Sequence, residues 1–183
     1  GHEMGLKVFG SLNIFAGGHN FFDRGIIYGD KAHWQSICYH NGELVPISSI
    51  KTNYNGMMNP SIPEMQQYQI DILKEFVTRY PDMDGLIFDR VRYDGITADF
   101  SELSKKQFEE YAGVIVENYP EDILSWYDED GNLRPDWVPG KYGKKWVEWR
   151  ASVIHDFVEK AHKALKEINP DLIIGDYTGA WYP

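Results

Sequence analysis

The sequence is short of basic residues and of long apolar runs, and each shortage excludes a class of protein. Its 183 residues carry 28 acidic side chains against 18 Lys and Arg, a formal net charge of −10. Proteins that bind duplex nucleic acid usually face its phosphates with a surplus of Lys and Arg, so the acidic balance argues against a nucleic-acid partner. No apolar run approaches the roughly 18–20 residues that cross a bilayer, so we expect no membrane span.

Cysteines and nucleotide-binding motifs are also scarce or missing. The single cysteine, Cys38, excludes an intrachain disulfide and a metal site built from cysteines. His33 and His40 flank it without the spacing of zinc ligands, and the Asp-rich turn at 128–131 has its glycine at the wrong position for a calcium loop, so we expect no metal. The sequence has neither a G-x-G-x-x-G fingerprint nor a phosphate-binding loop, so no cofactor is expected.

Hydrophobic and aromatic residues are abundant, and they fall into strand and helix patterns. They make up 43% and 15% of the chain, which suits one globular domain with a sizeable core. Apolar strands are predicted at 8–15, 86–88 and 172–176, and helices with an apolar stripe at 61–80, 105–116 and 144–168. Apolar strands separated by helices predict an α/β fold with a parallel sheet covered on both faces.

The helix starts and the first long connection carry local signals. Ser61 with Glu64, and Ser104 with Gln107, match the capping box, so the two serines are predicted to cap the first two helices. Residues 16–60 show no sustained period and are predicted to form a long loop at a strand end, with a short hairpin at Asn41-Gly42.

Carboxylates follow two of the predicted strands. Asp89 comes directly after Leu86-Ile87-Phe88, and Asp176 ends the last apolar run. Ligands of parallel α/β folds bind outside the carboxyl ends of the strands, so both acids are expected on one rim. If the two strands are neighbours, about 4.8 Å apart, the carboxyl groups lie on the order of 5–9 Å from each other. This range overlaps the separations of about 5–5.5 Å and about 6.5–9.5 Å that serve retaining and inverting glycoside hydrolysis.

Glycoside hydrolysis needs one ionised carboxylate and one carboxylic acid that donates a proton. Arg90 and Arg92 beside Asp89 favour its charged form, so Asp89 is the candidate nucleophile or charge stabiliser. Asp176, in an aromatic setting, is the candidate proton donor. The structural alternatives are an ion pair of Asp89 with Arg92 and a helix cap formed by Asp176.

Polar and aromatic side chains at the same strand ends are candidates for holding a sugar. Asn13 lies late in the first strand and His19 follows two glycines in the loop after it, whereas Asp94-Gly95 also fits a plain turn. Asp84 precedes its strand, at the end that stabilises such folds, and is left out of the site. The candidate substrate-binding residues are Asn13, His19, Arg92, Tyr93, Asp94 and Trp181.

An ordered series of short motifs resembles the family-10-like glycosyl hydrolases of bacteria. The series consists of Met58-Asn59-Pro60-Ser61, the run from Tyr80 through Asp84-Gly85 and Asp89 to Tyr93, Trp146-Val147-Glu148-Trp149-Arg150, and Asn169-Pro170-Asp171. It covers nearly the whole chain from Met4 onward. The resemblance implies a (β/α)₈ TIM barrel akin to amylase-type enzymes, a carbohydrate substrate, and a secreted, periplasmic or cell-surface location.

A complete barrel typically has about 250 residues, and here only three strands are clear and both chain ends look cut. We therefore expect residues 1–183 to form a single, partial catalytic barrel domain holding about strands 3–5, with the remainder supplied by a longer chain. The expected function is a glycoside hydrolase acting on a poly- or oligosaccharide. Two alternatives stay open: a non-catalytic carbohydrate-binding or scaffold barrel, and a hydrolase of another bond that uses the same rim.

Overall fold

A computed structural model describes residues 1–177, which form ten strands and three α-helices; the candidate Trp181 lies outside this range. The strands are β1 (Phe9–Asn13), β2 (Ala16–His19), β3 (Arg24–Gly25), β4 (Ile37–His40), β5 (Glu43–Pro46), β6 (Asn55–Met57), β7 (Gly85–Asp89), β8 (Leu124–Tyr127), β9 (Leu133–Pro139) and β10 (Ile173–Asp176). The helices are α1 (Pro63–Arg79), α2 (Glu102–Ala112) and α3 (Gly143–Ile168). No helix in this part of the chain has both the length and the hydrophobicity needed to cross a bilayer.

The centre of the fold is a three-stranded parallel sheet in the order β1-β7-β10. Helix α1 lies between β1 and β7 in the chain, and α2 and α3 lie between β7 and β10, as parallel strands require long crossover connections. The predicted α/β fold with a parallel sheet is thus confirmed. The described residues supply three strands of that sheet, and they do not close a barrel.

The two faces of the parallel sheet differ in burial. On one face Leu86 and Phe88 are fully buried and belong to the same hydrophobic cluster as Leu73 of α1 and Phe157 of α3. The opposite face is open, and Phe9, on the edge strand β1, remains 42% exposed there. The expectation that both faces are covered therefore holds for the helix-packed face only.

Both predicted capping boxes are wrong, because the two serines have other partners. Helix α1 has no side-chain cap, and the Ser61 hydroxyl is bonded instead to the Tyr93 hydroxyl at 2.9 Å. Helix α2 begins earlier than predicted and is capped by Ser101, whose Oγ accepts from the backbone N–H of Ser104. In both cases a tertiary contact or a competing residue overrides the local pattern.

The segment 16–60 contains short antiparallel strands joined by turns. Strand β2 pairs with both β3 and β6, and β4 pairs with β5. The β4–β5 hairpin turns at Asn41-Gly42, both with positive φ, so this predicted hairpin is confirmed. The other strands of the segment are only two to four residues long, which leaves too few positions to produce a period.

A second hydrophobic cluster surrounds the N-terminal half of α3. Trp146 packs against Phe100, with ring centroids 5.2 Å apart, and against Phe108 of α2 at 5.0 Å. The antiparallel hairpin β8–β9, which the sequence did not predict, adds Trp126, whose indole N–H donates to the backbone carbonyl of Tyr39 at 3.0 Å. The C-terminal half of α3 packs in the first cluster, so one helix contributes to both.

Candidate active site

Asp89 ends the central strand of the parallel sheet, beside the end of β1. It pairs in register with Asn13, and paired residues of parallel strands present their side chains on the same face. Asp89 is half-buried and Asn13 is exposed, at the rim of the open face. The C-terminal edge of this face therefore carries a carboxylate and an amide side by side.

Asp176 ends β10, the other neighbour of β7, so the two acid-bearing strands are adjacent as predicted. Its register partner is Phe88, so the alternation of side chains places it on the face of the sheet opposite to that of Asp89. Asp176 is exposed, and the partial burial that it retains raises its pKa. The backbone N–H of Tyr177 lowers that pKa, and the negative charge of Asp89 raises it by a smaller effect.

The two arginines that follow Asp89 bind elsewhere. Arg90, which has a positive φ of 54°, donates to the Tyr54 hydroxyl at 2.9 Å and to the side-chain oxygen of Asn55. Arg92 donates to the backbone carbonyls of Tyr93 and Asp94, at 3.1 and 3.2 Å. Within residues 1–177 neither guanidinium forms an ion pair with Asp89, so the structural alternative of an Asp89–Arg92 pair is absent there.

Asp94 lies in the loop after β7 and is held by the segment before β6. Its carboxylate accepts a hydrogen bond from the Asn53 amide at 2.6 Å. Burial raises the pKa of Asp94, while the Asn53 bond and the charges of Arg92 and Arg90 lower it. Asp94 is therefore a third carboxyl group in this region whose pKa is raised above its usual value.

Tyr93 is built into the protein interior, only 6% exposed. Its hydroxyl bonds Ser61 at the start of α1, its ring lies 4.1 Å from the Arg150 guanidinium, and burial raises its pKa to about 12. Arg150, on α3, also donates to the carbonyls of Gly95 and Ile96, at 2.6 and 3.2 Å. Tyr93 and Arg150 together fix the loop that carries Arg92 and Asp94.

A buried carboxylate, Asp99, lies further along the connection between β7 and α2. It accepts hydrogen bonds from the backbone N–H of Ile37 (2.5 Å), the Asn59 amide (2.8 Å), the backbone N–H and hydroxyl of Ser101 (3.0 and 2.5 Å) and the Ser104 hydroxyl (2.7 Å). Asp99 is 0% exposed, and burial raises its pKa against the lowering effect of these bonds. It ties β4, the start of α1 and the start of α2 to one point.

Sequence reasoning missed both Asp99 and Arg150 as site residues. Asp99 lies in no periodic segment, so nothing local marks it. Arg150 does carry a signal, because it is a charged residue next to the Trp146 and Trp149 stripe of α3 and is only 8% exposed. A charge on the buried side of a helix needs partners, and these lie in the loop after β7.

His19, the last residue of β2, is half-buried among aromatic side chains. Its ring centroid lies 5.4 Å from that of Phe21, 4.7 Å from Phe22 and 6.0 Å from Tyr54. Its Nδ1 atom is buried without a hydrogen-bond partner in the described part of the chain. The predicted sugar-binding histidine thus belongs to an aromatic cluster next to Arg90.

Two open cavities flank the strand ends. One, of about 360 Å³, lies along the outer edge of β1 and includes Asn13 and Tyr68 of α1 in its wall. The other, of about 630 Å³, separates the loop after β7 from α3 and is lined by Arg92, Tyr93, Asp94 and Arg150 among others. Four of the predicted substrate-binding residues therefore border these cavities, and neither cavity is lined by Asp89 or Asp176.

One group of potential metal ligands occurs among residues 1–177. His155, Asp156 and Glu159 each offer an atom within 4.8 Å of the others, and all three are exposed on α3. Exposed acidic groups often gather without an ion. The Asp-rich turn between β8 and β9 has its own explanation, since Asp128 accepts hydrogen bonds from the backbone N–H groups of Asp130 and Asn132.

These features define an α/β protein with carboxyl groups at the ends of adjacent parallel strands. The chain matches the family model described as glycosyl hydrolase-like 10 over residues 29–178, about four fifths of its length, and it belongs to that family. The predicted resemblance is confirmed. The chain is also 29% identical, over 191 aligned residues, to an S-layer-related protein of Niallia circulans. The match covers 98% of this chain and 11% of that relative, so the chain spans about a tenth of its length.

Proposed function

We propose that the chain forms part of a glycoside hydrolase that cleaves glycosidic bonds in a poly- or oligosaccharide. In this proposal Asp89 is the ionised nucleophile or charge stabiliser and Asp176 is the proton donor. The observation that carries it is the placement of two carboxyl groups at the ends of adjacent parallel strands, β7 and β10. Membership of a glycosyl hydrolase-like family supports the reaction class.

Each carboxyl group has a defined step. Asp176 gives its proton to the oxygen of the leaving sugar as the bond from that oxygen to the anomeric carbon breaks. Asp89 stabilises the positive charge on the anomeric carbon, or bonds to it. Water then supplies the hydroxyl group of the product, and its released proton restores the acid. A raised pKa is what keeps a proton on the donor near neutral pH.

The neighbouring side chains hold the sugar in this proposal. Asn13, paired with Asp89, donates to a hydroxyl on the reacting ring. Arg92 and Asp94 bind hydroxyls along the wall of the cavity between their loop and α3. Tyr93 acts by fixing that loop, since its own hydroxyl is bonded to Ser61.

The open face of the parallel sheet is the interior of a (β/α)₈ barrel in this proposal, and β1, β7 and β10 are its central strands. Two observations support this. Phe9 and Ile173, on the open face at both edges of the sheet, remain 42% exposed. The relative that matches this chain is about nine times longer than the matched part, so further strands are available in such proteins.

The test is hydrolysis by the full-length protein and by its Asp89→Asn and Asp176→Asn variants. Product sugars released from a panel of oligosaccharides are measured by mass spectrometry, which also identifies the bond that is cut. We expect each variant to lose activity by about 10²-fold or more, since a positioned acid or base contributes about 10²–10⁴-fold. Asp71→Asn, an exposed carboxylate on α1, is the matched control. Unchanged hydrolysis by Asp89→Asn would refute the catalytic assignment.

A non-catalytic carbohydrate-binding or scaffold barrel is the second candidate. The observation that favours it is the name of the relative, an S-layer-related protein. Calorimetry that detects oligosaccharide binding by the wild-type protein, with no product formed on prolonged incubation, would support this function over hydrolysis.

A further inference from the structure

Three aromatic side chains around His19 project into solvent, and one of them contacts the residue that follows Asp89. Phe21 is 57% exposed, Phe22 is 68% exposed and Tyr54 is 47% exposed. The ring of His19 lies among them. We call these four residues the aromatic platform. Large apolar side chains that gather on a protein surface mark a binding site more often than isolated ones do.

The backbone beneath the aromatic platform is firmly held. Asn20, next to Phe21 in the chain, is 0% exposed. Its amide donates to the carbonyls of Ile47, Asn53 and Asn55, at 2.9, 2.9 and 3.1 Å, and its side-chain oxygen accepts from Tyr28 at 2.6 Å. The rings are therefore presented on a fixed turn, which lowers the entropy lost when a ligand binds.

The aromatic platform is joined to the candidate catalytic residue by one arginine. Arg90 directly follows Asp89, its guanidinium donates to the Tyr54 hydroxyl at 2.9 Å, and it lies 5.4 Å from the centre of the Tyr54 ring. Because Arg90 supplies the proton in that bond, the Tyr54 hydroxyl keeps its own proton for another acceptor. The side of the platform that contacts Arg90 thus offers a hydroxyl donor beside the aromatic rings.

We propose that the aromatic platform is a sugar-stacking subsite next to Asp89, and that it takes a pyranose ring whose substituents are equatorial. This inference rests on the proposed function for its substrate class. The face of such a ring is a flat array of C–H groups, which packs on the electron-rich face of an aromatic ring. An axial hydroxyl would stand between the two faces. The phenylalanines have no polar atom and recognise this face alone, so sugar chains with equatorial substituents fit, and β-1,4-linked glucose and N-acetylglucosamine are the examples to test.

The experiment measures binding of cellohexaose and chitohexaose to the full-length protein by calorimetry. The variants are Phe21→Ala, Phe22→Ala and the double substitution, and Tyr80→Ala is the control because Tyr80 is equally exposed, at 57%, at the C-terminal end of α1. We expect each single change to weaken binding about 3- to 10-fold and the double change about 10- to 100-fold. The control should bind as the wild type does. Phe22→Tyr, which keeps the ring, should retain affinity.

Two results would overturn the proposal. One is binding by the double variant that stays within about twofold of the wild type; the other is no binding of either hexasaccharide by the wild type at about 5 mM. Thermal melting of each variant shows that a loss of binding is not a loss of fold, because Phe21 and Phe22 are outside the core.

The two proposals fail in different ways. If the double variant binds weakly while Asp89→Asn hydrolyses normally, the subsite stands and the catalytic assignment falls. If Asp89→Asn loses hydrolysis while the double variant binds and turns over as the wild type does, the catalytic assignment stands and the subsite falls. If both proposals are correct, the double variant has a raised KM and a kcat within about threefold of the wild-type value. Stacking away from the reacting atoms stabilises the bound substrate and the transition state equally, so its loss changes KM and not kcat.

Discussion

Replacing Asp99 with alanine tests whether one buried carboxylate holds the region under the candidate site together. The substitution removes the acceptor of five hydrogen bonds, two of which come from backbone N–H groups that cannot turn to another partner. The Ser104 hydroxyl has an alternative in Ser61, 3.4 Å away. The Asn59 amide likewise keeps Ser101 Oγ and Ser104 Oγ as acceptors, at 3.1 and 3.4 Å, whereas the backbone donors of Ile37 and Ser101 gain no new partner.

The expected loss follows from these two backbone donors. Each buried donor left without an acceptor costs about 1–3 kcal/mol. The sum is reduced because water can enter the vacated polar space. We therefore expect a decrease of about 2–4 kcal/mol in the free energy of unfolding. This is a large share of the about 5–15 kcal/mol that stabilises a typical domain.

The assay is urea unfolding followed by tryptophan fluorescence, because Trp146 stacks on Phe100, the neighbour of Asp99. With a slope of about 2 kcal/mol per molar urea, the midpoint should fall by about 1–2 M. Asp71→Ala, which removes an exposed carboxylate from α1, should change the stability by less than about 0.5 kcal/mol. A loss below about 1 kcal/mol for Asp99→Ala would refute the reasoning.

Two further predictions concern the rim and the segment before α1. In the Asp89→Asn protein the pKa of Asp176 should fall, since a like charge is removed while burial, the larger cause of its rise, remains; carboxyl ¹³C titration measures this, and an unchanged pKa would contradict the coupling. Gly25→Ala should lower the unfolding free energy by about 2 kcal/mol or more, because Gly25 has φ 120° and a Cβ atom would lie 2.3 Å from the Gly17 carbonyl oxygen. Gly113→Ala, with φ 66° in open space, is its thermal-melting control and should lose only about 1 kcal/mol.

The long periodic elements could be predicted from the sequence, and the short ones could not. Helix α3 was expected at 144–168 and spans Gly143–Ile168, and the strand expected at 86–88 spans Gly85–Asp89. Strand β9 gave no signal, because most of its residues are exposed on both faces and so do not alternate. The strands of the 16–60 segment depend on pairing partners that are distant in the chain.

The candidate site was predictable where position along a strand sufficed. The positions of Asp89 and Asp176 at the ends of adjacent strands could be predicted, because each residue ends an apolar run. The burial of Tyr93 was not predictable, because it depends on Ser61 from one helix and Arg150 from another. Such contacts join residues separated by about thirty to sixty positions, and no local pattern encodes them.

Helix α3 belongs to both hydrophobic clusters, and this has a consequence for how the protein unfolds. Trp146 and Trp149 pack in one cluster and Phe157, Ala161 and Leu165 in the other, along 26 continuous helical residues. Because neither cluster can lose this helix without breaking it, the two halves should unfold in a single cooperative step. Amide hydrogens along the middle of α3 should then exchange last, and those of β2 and β3 first.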